Sequence, residues 1–266
     1  MAMEDFRFPK PLVAHEEQLD RLGFVVLPEC IDERLLEKLI QKVEDLWERE
    51  DELAGSEFRL EENTRRLANL VNKSRLFDQV VLHGYSLALV HHILGEFKLS
   101  SLNARSANPM SASGQPLHCD GGFLPDQQGP LVANVVWCLD DFNIDNGTLR
   151  IVPGTHLSGT LPQGTLKNPE TTHPDEELIS AKAGSLIVIN AHLWHSGMEN
   201  RTQHPRRALH AYYCRRDQPQ QQFQQRMLSP ATQQEASELL RYILALDEMP
   251  VDAEIRHANS LSGFLK

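Results

Sequence analysis

The chain reads as mainly β with flanking helices, of sandwich or jelly-roll type. Three observations predict this. Before about residue 96 the apolar residues recur at helical spacing. From 97 to 216, short apolar runs alternate with Gly, Pro, Asn and Asp turns. After 217 the helical spacing returns. The expected organisation is therefore a helical part at 1–96, a β core at 97–216 and a helical part at 217–266.

The elements follow in order. Residues 15–22 predict a short helix, and Gly23–Pro28 a strand. Asp32 is a plausible N-cap for an amphipathic helix over 33–52, with Leu35, Leu36, Leu39, Ile40, Val43 and Leu46 on one face. A second helical stretch is expected from Ser74 to Leu94, stopped by Gly95. Strands are expected at Leu99–Ala104, Leu131–Leu139, Leu149–Val152, Leu186–Ile189 and Ala208–Cys214. The Gln-rich stretch 218–225 reads as a polar connector before a helix over Thr232–Ala245.

Composition narrows the function. The 266 residues carry a net charge of −11 and are 41% hydrophobic, enough for a sizeable core. A nucleic-acid binder would show a basic excess or stripe. The one dense cluster, Arg201, Arg206, Arg207, Arg215 and Arg216, is short. No apolar run approaches the roughly 20 residues that a membrane helix needs, and Met1–Lys10 lacks a signal-peptide core. Cys30, Cys119, Cys138 and Cys214 show no zinc spacing, as expected of reduced thiols in a cytoplasmic protein. The partner expected is a small molecule, without nucleic acid or membrane.

The chemistry is carried by His118-Cys119-Asp120. On a strand, residues i and i+2 share a face, so an imidazole and a carboxylate would converge as cis metal ligands. His195 follows the apolar strand ending at Ile189 and would complete a two-histidine, one-carboxylate set, which suits non-haem iron(II) and leaves one face open. His192 competes with His195, and spacing does not separate them. Beyond them, Arg206 or Arg207 could pair bidentately with a carboxylate; being adjacent on a strand, only one can face inward. The ordinary alternative for either is a solvated surface arginine.

Four segments in order resemble the phytanoyl-CoA dioxygenase family (PhyH). They are the helix, Gly-Phe and strand at His15–Pro28; Gln115-Pro116-Leu117-His118-Cys119-Asp120; Asp145–His156 with its Asn-Gly and Pro-Gly-Thr-His; and His195–Thr202 followed by Arg206. The resemblance implies one oxygenase domain over 1–266 with a double-stranded β-helix, that is, a cupin-like jelly roll. It implies Fe(II), 2-oxoglutarate and O2, with His118, Asp120 and His195 on the metal and Arg206 on the distal carboxylate. It also implies 2-oxoglutarate contacts from Gln115, Thr148 and Asn103. The activity implied is oxidation of a small organic molecule, most simply hydroxylation, with release of succinate and CO2. Desaturation, epoxidation or ring formation on the same fold is the alternative.

Rivals are a halogenase, against which Asp120 speaks, a zinc hydrolase and a non-catalytic jelly roll, neither of which needs the arginine. Three segments are expected to form a cover over the site: Ser106–Gly114, Gly121–Gln128 and Leu157–Leu178, with Phe123 contacting substrate. The alternative for Phe123 is core packing. His156 is expected to serve a turn, Trp137 and Trp194 to be core, and His91-His92 to be a poor metal pair.

Overall fold

The computed structural model describes residues 6–58, 61–112 and 114–251. The strands are β1 Phe24–Leu27, β2 Thr64–Leu67, β3 Phe97–Ala107, β4 Val132–Cys138, β5 Leu149–Val152, β6 Glu177–Leu178, β7 Leu186–Asn190, β8 Trp194–Gly197 and β9 Arg206–Arg215. The helices are α1 Val13–Leu22, α2 Glu33–Glu50, α3 Leu70–Lys73, α4 Asp78–Val81, α5 Gly84–Leu94, α6 Pro162–Thr165, α7 Gln224–Met227, α8 Pro230–Glu235 and α9 Glu238–Leu244. Asp32 caps α2 as expected, its carboxylate accepting from the Leu35 N–H at 2.9 Å. Among the described residues no helix is long and apolar enough to cross a membrane.

Two antiparallel sheets form a jelly roll. The larger runs β1-β7-β4-β9-β3-β2 and the smaller β6-β5-β8. Side-chain alternation gives the large sheet two different faces. Its outer face carries Val25, Leu99, Val135, Trp137, Val188, Leu209 and Tyr213, which pack with Leu39, Val43, Leu87, Val90 and Ile243 from the helices. On the inner face, Phe24, Val136, Ile187, Ile189 and Ala208 join Leu149 and Ile151 of the small sheet in a second apolar cluster. Along β3, β9 and β2 the inner face turns polar, and there a cavity opens.

A β-bulge at Ser100 shapes that polar face. Leu99 pairs with Tyr213 and Ser101 with Tyr212, so the register slips by one and Ser101 turns inward. The Gln-rich stretch, expected as a polar connector, is packed against this bulge. Gln221 N–H donates to Ser100 Oγ at 2.7 Å and Gln222 N–H to the Ser100 carbonyl at 2.9 Å. Gln220, Gln222 and Gln224 are buried. The Gln220 amide donates to the Leu99 carbonyl beside the bulge at 2.8 Å, while the Gln222 amide donates to Asn103 Oδ1 at 2.9 Å.

Three further expectations needed correction. The helix expected over Ser74–Leu94 is broken at His83, which caps α5 instead: its Nδ1 accepts from the Ser86 N–H at 3.3 Å. The first residue of α5 is glycine where a Cβ would lie 2.9 Å from Pro9 Cδ. The helix expected over Thr232–Ala245 is two helices, separated where Ser237 caps α9 through the Leu240 N–H. The part of the C-terminal expectation beyond Val251 lies outside the described residues. Finally, β2, β6 and β8 were not anticipated. β2 reads Thr-Arg-Arg-Leu and is polar because its inward side lines the cavity rather than a core.

Candidate active site

His118 and His195 are held together by backbone. Each donates its N–H to the other's carbonyl, both at 3.0 Å, in an isolated antiparallel bridge. The Gln115 N–H adds a bond to the Gly197 carbonyl at 2.9 Å, so the segment before His118 runs beside β8. The expectation that His118-Cys119-Asp120 lies in a strand needs correction. Only His118 is bridged, and Asp120 opens a tight turn through Gly121, whose φ is 76°. The Asp120 N–H is tied instead to the Ala191 carbonyl at 2.9 Å. That turn still brings the carboxylate to the two rings.

The result is a cluster. One ligand atom each from His118, Asp120 and His195 lies within 4.8 Å of the others. Asp120 Oδ1 is 3.8 Å from His118 Nε2 and 3.6 Å from His195 Nε2. Backbone carbonyls fix the tautomers. His118 Nδ1 donates to the Pro116 carbonyl at 2.9 Å, and His195 Nδ1 to the Leu193 carbonyl at 2.8 Å. A carbonyl can only accept, so both Nδ1 atoms carry hydrogen and both Nε2 atoms face the cluster, free to act as ligand atoms in the neutral rings. Burial pushes Asp120 up, but the charge and hydrogen bond of His195 outweigh it and hold the carboxyl at about 2. His118 is pushed down by burial and by His195. For His195 burial acts downward, yet Asp120 more than offsets it and the net shift is upward. Asp120 favours a proton on His195 Nε2, and a divalent cation would take that proton's place, so that two neutral imidazoles and one ionised carboxylate, aimed at one point, form a donor set that suits a metal of the iron type.

His192 is engaged elsewhere. Its Nε2 accepts from the Leu131 N–H at 2.9 Å and its Nδ1 donates to the Phe123 carbonyl at 3.1 Å. Both ring nitrogens are occupied, so it pins the turn after Asp120. Cys119 is turned away, its thiol donating to the His192 carbonyl at 3.0 Å and pushed up to about 12 by burial.

The cluster opens on a cavity of about 360 Å³. Arg206 lines the same cavity. Its side chain is 1% exposed, its guanidinium carbon sits 4.3 Å above the centre of the Phe142 ring, and its Nε has no hydrogen-bond partner. Burial and the charge of Arg105 pull it down to about 9. Arg207 faces the other way, gripping Asp140 at 2.6 and 2.9 Å and Glu44 at 3.2 Å. The alternation of β9 therefore separates the two arginines.

Other expected residues divide. Gln115 and Asn103 line the cavity. Thr148 does not: it is fully buried and its hydroxyl donates to the Ile179 carbonyl, which corrects its assignment as a 2-oxoglutarate contact. Phe123 is not among the lining residues either. Its ring packs half-buried against Leu131, Val132, Ala191 and Tyr212, and crosses Gly121, where a Cβ would meet it at 2.1 Å. Of the expected cover, Gly121 reaches the cavity, but nothing described in 157–178 does. That segment is instead tied down by Arg150, which donates to the Thr171 and Pro169 carbonyls at 2.9 and 2.8 Å. Within Ser106–Gly114, Ser106 and Ala107 belong to β3, and Ser113 lies outside the described residues. His156 is buried at a turn on the Asp20 carbonyl, His92 pairs with Asp20, and Trp137 and Trp194 are buried.

Sequence reasoning missed the opposite wall. His210 and Tyr212 line the cavity from β9, Asn134 from β4 and Gln221 from the connector. The alternation that places Arg206 inward also places 208, 210 and 212 inward, so that signal was present. Glu61 had none. It joins Arg66 at 2.7 Å, Arg105 at 2.8 Å and Gln115 at 3.1 Å into one network at the edge of the cavity.

A two-histidine, one-carboxylate cluster in a jelly roll, with a buried arginine opposite, defines a class of mononuclear metal protein. The chain belongs to the phytanoyl-CoA dioxygenase (PhyH) family, whose model matches residues 19–208. It is 34% identical over 132 residues to dioxygenase af480 of Aspergillus fumigatus, covering 48% of this chain and 41% of that one. It is 30% identical over 160 residues to dioxygenase olcK of Penicillium canescens, covering 55% and 50%. The chain thus spans about half the length of the curated relatives it matches. In fold it is similar to the non-haem α-ketoglutarate-dependent epimerase SnoN of nogalamycin biosynthesis, at TM-score 0.62 and 20% identity, covering 76% of this chain and 82% of that one. It is similar also to HygX of Streptomyces hygroscopicus, solved with nickel and 2-oxoglutarate, at TM-score 0.64 and 16% identity, covering 79% and 89%.

The Glu61 network makes a pH prediction. Burial pushes its carboxyl up, but Arg105 and Arg66 outweigh this and hold it at about 2, against an ordinary 4.5. A depressed folded-state pKa gives stabilisation that is full above 4.5 and lost as pH falls through about 2. It is worth on the order of 3 kcal/mol. Urea midpoints measured above pH 4.5 and near pH 2 should show a shallower acid loss for Glu61→Gln than for the unmodified protein. Equal acid losses would contradict this.

Proposed function

We propose that the protein is an Fe(II)- and 2-oxoglutarate-dependent dioxygenase that hydroxylates a small organic molecule, releasing succinate and CO2. His118, Asp120 and His195 would hold the iron, and Arg206 would bind the distal carboxylate of 2-oxoglutarate. Bound iron, with 2-oxoglutarate and dioxygen, supplies the oxidising power. One oxygen atom goes to the substrate C–H carbon and the other to succinate, so atoms and electrons balance. The scattered free cysteines support a cytoplasmic setting.

One observation carries this reading: a buried guanidinium without a carboxylate partner shares a cavity with the three ligands. An unpaired buried charge costs several kcal/mol, and an anionic ligand offsets that cost. A zinc hydrolase has no need of the guanidinium, and a passive anion-binding domain has no need of the three metal ligands beside it. The chain's own residues then have separable tasks. Pro116 and Leu193 carbonyls orient the imidazoles, Asn134 Nδ2 steadies Asp120 Oδ2 at 3.4 Å, and Phe142 supports Arg206 from beneath. The apolar inner cluster beside Arg206 keeps water from the guanidinium and strengthens its attraction for a carboxylate.

Calorimetric titration of Fe(II) under anaerobic conditions tests the ligands. His118→Ala, Asp120→Ala and His195→Ala should each lose metal binding. His192→Ala should retain it with at most a ~10–100-fold loss, the range typical of residues that support a metal site indirectly. Binding that survives in His195→Ala but vanishes in His192→Ala would reverse the assignment.

For the co-substrate, Arg206→Ala should weaken 2-oxoglutarate roughly 10- to 150-fold, the value of a hydrogen bond to a charged group. Arg207→Ala should leave it nearly unchanged, because that side chain faces Asp140 and Glu44. Superimposable 2-oxoglutarate saturation curves for Arg206→Ala and the unmodified protein would remove Arg206 from the site.

A further inference from the structure

The cavity wall facing the metal cluster carries more unsatisfied polar atoms than the co-substrate can meet. Asn134 Oδ1, His210 Nε2, Tyr212 Oη and Arg206 Nε are all buried without a hydrogen-bond partner, and all four residues line the cavity. Each such atom costs about 1–3 kcal/mol unless a ligand or water pairs with it. Four on one wall therefore point to a ligand.

Position along β9 divides them. Arg206 and Tyr212 stand at opposite ends of one face, about 20 Å apart along the strand. Between them on that face stand Ala208, which presents only a methyl group, and His210. On the proposed reading, 2-oxoglutarate reaches from the cluster to Arg206. The Tyr212 end is then left for the primary substrate. Ser101 and Asn134 are the cross-strand partners of Tyr212 on either side. Ser101 Oγ donates to Gln221 Oε1 at 2.7 Å, which brings the buried connector into the same wall.

The chemistry of this end is specific. The carboxylate of Asp120 needs a donor, so Asn134 turns its Nδ2 to it and is left presenting a carbonyl oxygen. Tyr212 presents a hydroxyl that can donate. Neither is charged, and the nearby guanidinium groups of Arg66 and Arg105 are both engaged by Glu61. Apolar lining is confined to Phe58 and Leu149 among the described residues, besides glycine and the aromatic ring of Tyr212. An acyl chain or fused apolar ring system would strand these groups without partners. A neutral hydroxyl both donates and accepts, and satisfies them.

Resting on the dioxygenase reading above, we propose that the primary substrate is a small, neutral, hydroxyl-rich molecule of sugar or cyclitol type. It is held at the Tyr212 end by Asn134, Tyr212, Ser101 and Gln221. The cavity of about 360 Å³ has to hold co-substrate as well, which also favours a compact molecule.

The test uses the protein loaded with 2-oxoglutarate and zinc, a redox-silent ion, so that binding is read without turnover. Two probe panels are compared by saturation-transfer NMR: free sugars and cyclitols, and fatty acids with terpenoid alcohols. The expected result is saturation transfer to members of the first panel and displacement of none of the 2-oxoglutarate. Tyr212→Phe and Gln221→Leu should each weaken the best probe about tenfold or more, with 2-oxoglutarate affinity unchanged. No transfer to the sugar panel, stronger transfer to the apolar panel, or unchanged probe affinity in both variants overturns the proposal. Failure of 2-oxoglutarate itself to bind would instead overturn the dioxygenase reading, so the two failures are distinct.

Discussion

Two backbone hydrogen bonds between His118 and His195, each 3.0 Å, set the geometry on which the site depends. They join the loop before Asp120 to β8 and bring the two imidazole centres to 4.7 Å. Each ring is then locked through Nδ1 to a carbonyl two residues earlier in its own chain segment. No side chain has to search for its orientation. The entropy of placing both Nε2 atoms has been met in folding, which is what a preorganised ligand set requires. Asp120 joins by leaving the bridge, since the turn through Gly121 swings its carboxylate back to the rings.

The second constraint is the alternation of β9. Its outward residues Leu209, Ala211 and Tyr213 lock the helices to the large sheet, while Arg206, His210 and Tyr212 look into the cavity. The same strand is therefore structural on one face and chemical on the other. The outer cluster is the larger of the apolar clusters, and the inner face beside the cavity keeps polar atoms without partners. A register slip of one residue would exchange the faces, burying Arg207 in the cavity and breaking its pairing with Asp140. The bulge at Ser100 is the one place where the register of β3 against β9 does slip, and it delivers Ser101 to the cavity.

How much of this was legible follows from where the signal lies. The helices and strands with strong periodicity, such as α2 and β5, match their expected positions closely. The spacing in His118-Cys119-Asp120 marked the two side chains that converge, though by a bridge and a turn rather than by a strand. Arg206 and Arg207 were indistinguishable by composition. The resemblance favoured Arg206, and the fold shows why: the inward parity of β9 is fixed by its pairing with β3 and β4. What was illegible depended on contacts distant in sequence. Glu61 meets Arg105 across the sheet edge. Gln222 bonds Asn103 from beyond the β core, so a polar run became buried structure. Thr148 sits in a promising motif, yet its hydroxyl is spent on Ile179. Phe123, the aromatic expected at the substrate, was drawn into an apolar patch beside His192.

The central claim is that His118, Asp120 and His195 hold iron in the cavity where Arg206 receives 2-oxoglutarate. Anaerobic addition of Fe(II) and then 2-oxoglutarate, followed by visible absorption, tests it most directly. The account predicts a metal-to-ligand charge-transfer band that appears only when both are present. A protein that binds Fe(II) and 2-oxoglutarate yet develops no such band would contradict it, because the two would then occupy separate sites.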